Sequence, residues 1–123
     1  MLAEERLLDI EAMVTSFVER IVPLELDGET LRLVLYWPNG SNLRVTEQWD
    51  GDHLDRYSYY WLTAENMLKI GWDNAPHHAH LETFPHHKHV PPDIRHHRVP
   101  APELSYTRPN LPALIREIEG LGA

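Results

Sequence analysis

The stretch LRLVLYWPNGSNLRVTEQWDGDHLDRYSYYWL, residues 31–62, decides the fold of this 123-residue chain. Apolar and polar residues alternate through its three segments, as they do in strands that bury one face. The segments are separated by Pro38-Asn39-Gly40-Ser41 and by Asp50-Gly51-Asp52. Both separators contain residues that tolerate the positive φ of tight turns. The stretch therefore predicts an antiparallel meander.

Four tryptophans extend this pattern toward the C-terminus. They are spaced by 12, 12 and 11 residues, which suits a strand plus a tight turn: Trp37, Trp49, Trp61 and Trp72. We expect them to pack in the core or across strands. With a third turn at Glu65-Asn66, we predict strands near 30–37, 43–50, 55–63 and 67–73, and a short fifth strand near 86–90.

Two amphipathic segments flank the predicted sheet. Residues 2–21 carry apolar side chains at three- and four-residue intervals, and Pro23 is expected to end that helix. Asn110 precedes a second apolar stripe, which predicts a capped C-terminal helix that ends at Gly120. Both helices should pack on one face of the sheet. The fold class is therefore α+β, in a single domain over residues 1–123.

Composition excludes several classes of protein. Hydrophobic residues make up 42% of the chain and charged residues 24%, as in ordinary folded proteins. No apolar run is long enough to cross a bilayer, and the start MLAEERLLDI lacks the basic and apolar regions of a secretory signal. The absence of cysteine excludes disulfides and thiolate zinc sites. We expect a cytoplasmic protein that makes no membrane contact.

Charge is distributed unevenly along the chain. The formal net charge is −8, and residues 1–73 hold 14 acids against 6 bases. The remaining residues are neutral on balance, and eight of the nine histidines lie between His77 and His97. Histidine has a pKa near 6.5, so this segment becomes cationic as the pH falls. The acidity of the whole chain weakens a claim of binding to nucleic acid, but this region need not be acidic.

Candidate chemistry is concentrated in the histidine-rich segment, residues 72–97, which includes WDNAPHHAHLETFPHHKHV at 72–90. Its residue types suit metal-free cleavage of RNA, which needs a base, an acid and a cation beside the phosphate. We expect His86, His87 or His89 to act as base and acid, and Lys88 to stabilise the phosphate. Asp73 would orient an imidazole. The candidates His77 and His78 lie close by in the sequence.

Neighbouring aromatic and amide residues are candidate substrate ligands. Tyr57 and Tyr59, together with Tyr60, offer rings that stack on bases and hydroxyls that donate to phosphate oxygens. Asn74 adjoins Asp73 and offers an amide to the same substrate.

Three other interpretations of the histidines stay open. His78 and His80, or His87 and His89, would share a side of an extended chain and hold a divalent transition metal, with Asp73 as a further ligand. The segment also suits a noncatalytic protein that binds a partner through its histidines. A solvated loop in which the imidazoles have no role is the third interpretation.

Three motifs resemble the TumE family, the toxin component of bacterial and archaeal toxin–antitoxin pairs. They are YSYYW at 57–61, WDNAPHH at 72–78 and TFPHHKHV at 83–90, and the resemblance spans about residues 30–120. It implies a toxin that a cognate antitoxin neutralises, and a ribonuclease activity is consistent with such a toxin. The chain departs from the family in the extra histidines His80, His96 and His97 and in its proline-rich 91–109 stretch. An exposed edge strand would also permit a homodimer.

Overall fold

A computed structural model describes residues 1–74, 86–90 and 110–122 of the chain and the backbone of residues 98–100. Two helices and seven strands lie within these residues: α1 (Ala3–Val14), β1 (Arg20–Asp27), β2 (Thr30–Tyr36), β3 (Asn42–Asp50), β4 (His53–Leu62), β5 (Leu68–Asp73), β6 (His87–His89), β7 (Arg98–Pro100) and α2 (Leu111–Gly120). The fold is α+β, as the sequence predicts.

The strands form one antiparallel meander in the order β1-β2-β3-β4-β5-β6-β7. All five predicted strands are present within a few residues of their expected bounds. The turn residues Gly40, Gly51 and Asn66 adopt the positive φ that their types favour. The sheet has two more strands than the four to five predicted, because β1 and β7 add one strand at each edge.

The predicted N-terminal helix over 2–21 is wrong in its second half, since α1 ends at Val14 and β1 begins at Arg20. Pro23 does not end a helix; it lies within β1, next to a β-bulge between Pro23 and Glu25. Proline is compatible with this position because β1 is an edge strand, where one row of backbone amides has no strand partner. A two-residue turn at Gly28-Glu29 then joins β1 to β2.

The two faces of the sheet differ in what they carry. On the face toward the helices, one transverse row aligns Leu33, Val45, Tyr59 and Trp72. These side chains join the apolar residues of both helices in one buried core, and all four tryptophans are buried, which confirms their predicted packing role. We call the other side the open face; it carries Arg32, Arg44, Thr46, Gln48, Arg56, Ser58, Tyr60, Asp73, His87 and His89.

A buried ion pair ties α1 to the sheet. The Glu47 carboxylate on β3 is fully buried and accepts two hydrogen bonds from the guanidinium of Arg6, at 2.7 and 3.1 Å. It also accepts from the Trp49 indole and from the Tyr59 hydroxyl at 2.6 Å. Several donors converge on one carboxylate, so its buried charge is well compensated.

The C-terminal helix begins and ends where the sequence predicts, but its predicted side-chain cap is wrong. Asn110 precedes the helix in a helical backbone conformation and makes no side-chain cap hydrogen bond. Its buried side chain instead hydrogen-bonds Tyr59, so it joins the helix to the core. Across the described residues, neither helix is long and apolar enough to span a membrane.

Candidate functional site

Pairing of β5 with β6 brings an aspartate and two histidines together on the open face. Asp73 lies opposite His87 in the register, and Gly71 lies opposite His89. One carboxylate oxygen of Asp73 is 2.7 Å from Nε2 of His87, and the other is 2.9 Å from Nε2 of His89. The two imidazole rings have centroids 5.0 Å apart. We call these three residues the Asp–His cluster.

The Asp–His cluster is buried. The exposed fractions are 7% for Asp73, 2% for His87 and 8% for His89. Burial of ionisable groups carries a desolvation cost, so such groups are usually paired with one another. A carboxylate shared between two imidazoles meets that requirement. Clusters of this kind are common at functional sites because neighbouring groups can exchange protons there.

Tyr60 completes the cluster from the neighbouring strand. Its hydroxyl donates a hydrogen bond to Asp73 Oδ2 at 3.0 Å, and its ring meets that of His89 edge-on at 6.2 Å between centroids. Tyr60 lies opposite Gly71 in the β4–β5 register, and the glycine leaves room for the tyrosine ring. From the sequence, Tyr60 is grouped with the substrate ligands and Gly71 is not singled out. Alternation along β5 is the signal that assigns Gly71 to the same face as Asp73, and the register of β4 with β5 adds Tyr60.

The strand pleat separates the five residues expected to act together. His87 and His89 face Asp73, whereas His86 and Lys88 lie on the helix side of the sheet, as alternation along β6 requires. His86 stacks on the ring of Tyr57 and hydrogen-bonds its hydroxyl. Burial lowers the pKa of His86, and the nearby imidazole of His87 lowers it further.

Lys88 is engaged in a structural contact. Its ammonium forms an ion pair with Glu117 on α2 and lies 5.8 Å from the centroid of the Trp72 ring. This contact joins β6 to the C-terminal helix. The structure therefore places Lys88 across the sheet from the Asp–His cluster and does not bring it beside the two imidazoles that face Asp73.

The predicted substrate ligands are also engaged in structural contacts. Tyr57 and Tyr59 are buried on the helix side, with their rings stacked 5.3 Å apart. The side chain of Asn74 accepts a hydrogen bond from the backbone amide of Tyr57 at 3.1 Å and donates one to the carbonyl of Asp55 at 3.0 Å. These two hydrogen bonds hold the end of β5 against β4. Three further candidates, His77, His78 and His80, lie outside the described residues.

A cavity opens next to the Asp–His cluster. It has a volume of about 320 Å³ and is lined by Asp73, Tyr60, Ser58, Arg56, Gln48 and their neighbours. Arg56 is exposed, and it supplies a guanidinium on the same face as Asp73. Sequence reasoning missed this cation because it lies 17 positions before Asp73 and outside the histidine-rich segment.

The Asp–His cluster also has the ligand set of a metal site. Its three potential ligand atoms, one from each residue, lie within 4.8 Å of one another. Imidazole nitrogen and carboxylate oxygen suit zinc and other divalent transition metals. Of the four histidines predicted as metal ligands, His87 and His89 are brought together here, with Asp73 as the third group.

Comparison with known proteins gives one match. A family model described as toxin TumE matches residues 3–121. The match extends the resemblance seen in the sequence motifs to α1 and β1, and it includes every described helix and strand. No curated protein and no solved structure matches the chain.

Proposed function

The chain belongs to the TumE family of toxins, and we propose that it acts as a metal-independent endoribonuclease. Family membership makes it a toxin of a toxin–antitoxin system, with a cognate antitoxin as its partner. The observation that carries the enzymatic proposal is the Asp–His cluster, in which one buried carboxylate contacts two imidazoles and itself lines an open cavity.

The orientation of the two imidazoles suggests how each would act. Each presents Nε2 to Asp73, so an Nε2–H that donates to the carboxylate fixes the tautomer of the ring. Proton exchange with a substrate then takes place at Nδ1. A neutral ring accepts a proton at that atom, and a protonated ring donates one. Asp73 is a positioning residue in this scheme, because it holds the rings and stabilises the imidazolium.

RNA supplies the nucleophile for the reaction. One histidine removes the proton of a ribose 2′-OH, and the 2′-oxygen attacks the adjacent phosphorus. The bond from phosphorus to the 5′-oxygen breaks, and the second histidine protonates the departing oxygen. The products are a 2′,3′-cyclic phosphate and a 5′-hydroxyl. Arg56 is the cation that we assign to the charged phosphorane, in place of Lys88.

A cleavage assay tests this proposal directly. Full-length protein is treated with EDTA and incubated with single-stranded RNA, and the products are analysed for cyclic phosphate ends. We expect cleavage to survive the chelator and to be abolished by H87A and by H89A. H53A is the matched control, since His53 is an exposed histidine in the β3–β4 turn region. If RNA stays intact and H87A weakens capture of the antitoxin, the enzymatic proposal is wrong and the protein is a noncatalytic binding protein.

A metal-dependent hydrolase is the second candidate, and the donor set of the Asp–His cluster favours it. Protein purified without an affinity tag would then contain one zinc, nickel or manganese ion per chain, and chelation would remove metal and activity together. D73N, H87A and H89A would each lower the metal content, whereas H53A would not. Metal content that is unchanged in all three cluster variants would exclude this candidate.

A further inference from the structure

We propose that single-stranded RNA binds across the open face, with Arg32 and Arg44 holding its backbone and Tyr36 and Tyr60 stacking on its bases. This inference rests on the proposed function, because it gives the path by which RNA reaches the Asp–His cluster. Neither arginine was among the sequence-predicted site residues.

Charge is distributed unevenly between the two sides of the molecule. The chain carries a net charge of −8, and α1 contributes four acids to the helix side: Glu4, Glu5, Asp9 and Glu11. The open face instead carries Arg32, Arg44 and Arg56, all exposed, and its acids Glu25 and Asp27 lie on the edge strand β1, opposite Arg32 and Thr30. Among the described residues, none of the three arginines is in an ion pair. Their guanidinium groups are therefore available to an anionic ligand.

Strand register places these cations in line with the Asp–His cluster. Arg32, Thr46, Ser58 and Asp73 form one transverse row, and Arg44, Tyr60, Gly71 and His89 form the next. Adjacent strands are about 4.8 Å apart, so each arginine lies about 14 Å across the sheet from the cluster residue at the end of its row. That distance is within the span of a few nucleotides. The two rows therefore point a bound strand toward the cluster.

Two cavities mark this path. The cavity beside Asp73 shares Thr46 with a second cavity of about 320 Å³, which Arg32, Tyr36 and Arg44 line. Together their lining residues extend along the open face from Arg32 on β2 to Asp73 on β5. Asp73 is the member of the Asp–His cluster that lines the second end of this path.

The chemistry of the face favours RNA over an acidic peptide. Its cations are guanidinium groups, which bind phosphate oxygens in a bidentate manner and stack on bases. Tyr60 lies opposite Arg44, and Tyr36 lies one row beyond it, with the Arg20 guanidinium 4.3 Å from the centroid of its ring; both tyrosines are half-buried. Arginine and tyrosine side chains that share an open sheet face are typical of surfaces that bind single strands by stacking and phosphate contacts. An acidic peptide would use the charges but not the rings.

A binding assay separates this inference from the catalytic proposal. The probe is a fluorescent single-stranded RNA of about 12 nucleotides with 2′-O-methyl riboses, which lack the nucleophile and are not cleaved. We expect R32Q and R44Q each to raise the Kd about three- to tenfold, and the slope of log Kd against log salt to fall by about 0.7 for each phosphate that the variant no longer neutralises. R116Q is the charge-matched control, because Arg116 is exposed on α2.

The outcomes of this assay are distinct from those of the cleavage assay. If RNA binds through the arginines but is never cleaved, the binding path is supported and the catalytic proposal is wrong. If RNA is cleaved but R32Q and R44Q bind RNA as tightly as the unsubstituted protein, the binding path is wrong and the catalytic proposal stands. Tighter binding of a polyglutamate peptide of equal length, or a larger effect of R116Q, would also overturn it.

Cross-links from 4-thiouridine RNA are expected on β2–β4 and not on α1.

Discussion

The ring of Tyr60 occupies the space above Gly71, its cross-strand neighbour. A Cβ at position 71 would lie 2.5 Å from Cδ1 and 2.7 Å from Cε1 of that ring, closer than real Cβ atoms approach. The glycine therefore determines where the tyrosine lies, and the tyrosine hydroxyl in turn contacts Asp73. A residue without a side chain thus helps to fix the geometry of the Asp–His cluster.

Replacement of Gly71 by alanine should impair the site and leave the fold intact. In G71A the Tyr60 ring must move, so its hydroxyl is no longer aligned with Asp73. We expect RNA cleavage to slow about tenfold, which corresponds to the loss of one hydrogen bond to a charged group. G120A is the matched control, because a Cβ at Gly120 meets nothing within 4 Å. Equal cleavage rates for the two variants would contradict this role for Gly71.

Removal of the Tyr60 hydroxyl tests the same interaction from the other side. Y60F keeps the ring over Gly71 but leaves Asp73 without that donor, so the carboxylate holds its two imidazoles less firmly. We expect the cleavage rate to fall about tenfold. In Y57F the hydroxyl that is removed is the one that contacts His86 on the helix side, and the rate should stay within about twofold of the original. Similar decreases in Y57F and Y60F would show that the two faces do not act separately.

The sequence predicts the central meander well because three kinds of signal agree there. Alternation, turn residues and tryptophan spacing all give the same strands, and the structure has them. The prediction fails at Pro23 because a proline that ends a helix and a proline in an edge strand look alike in one sequence. Only the pairing of β1 with β2 separates the two, and the β-bulge after Pro23 interrupts the alternation that would reveal that strand in the sequence.

The candidate site was predicted in composition but not in arrangement. The sequence brings His86, His87, Lys88 and His89 together, and alternation along β6 then divides them into two pairs. Asp73 was expected to orient an imidazole, and it contacts two. Alternation along β5 places Gly71 on the face of Asp73, but its contact with Tyr60 and the position of Arg56 depend on the register between strands.

Lys88 is predicted to stabilise the fold more than the reaction. Its ion pair with Glu117 is partly buried and joins β6 to α2, so K88Q should lower the free energy of unfolding by about 1 kcal/mol. Urea denaturation measures that decrease, and E117Q should give a similar one. RNA cleavage by K88Q should stay near the original rate under conditions where the variant is folded. Abolished cleavage in folded K88Q would restore Lys88 to the role in phosphate stabilisation that the sequence suggests.

The buried carboxylate of Glu47 is predicted to be essential for stability. E47A leaves the guanidinium of Arg6 buried without its partner, which costs about 3–5 kcal/mol in comparable ion pairs. Urea denaturation should show a correspondingly lower midpoint. Combination with R6M removes the stranded charge and should recover much of the stability. If the double variant does not regain stability, the hydrogen bonds from Trp49 and Tyr59 to Glu47 matter more than the ion pair.

The lowered pKa of His86 predicts a pH dependence of folding. Burial and the charge of His87 lower that pKa below the 6.5 of ordinary histidine, and the unfolded chain keeps the ordinary value. Below pH 6.5 the unfolded chain therefore binds more protons than the folded chain, so stability falls as the pH drops toward the folded pKa and then levels off. Urea midpoints of the unsubstituted protein and H86Q, measured between about pH 5 and 7, should converge as the pH falls, because the glutamine does not titrate. Glu29 does not interfere with this comparison, because its pKa is lowered by the hydrogen bond from the N-terminal ammonium and it changes the stability mainly below pH 4.5. A constant difference between the two proteins across the histidine range would contradict the prediction.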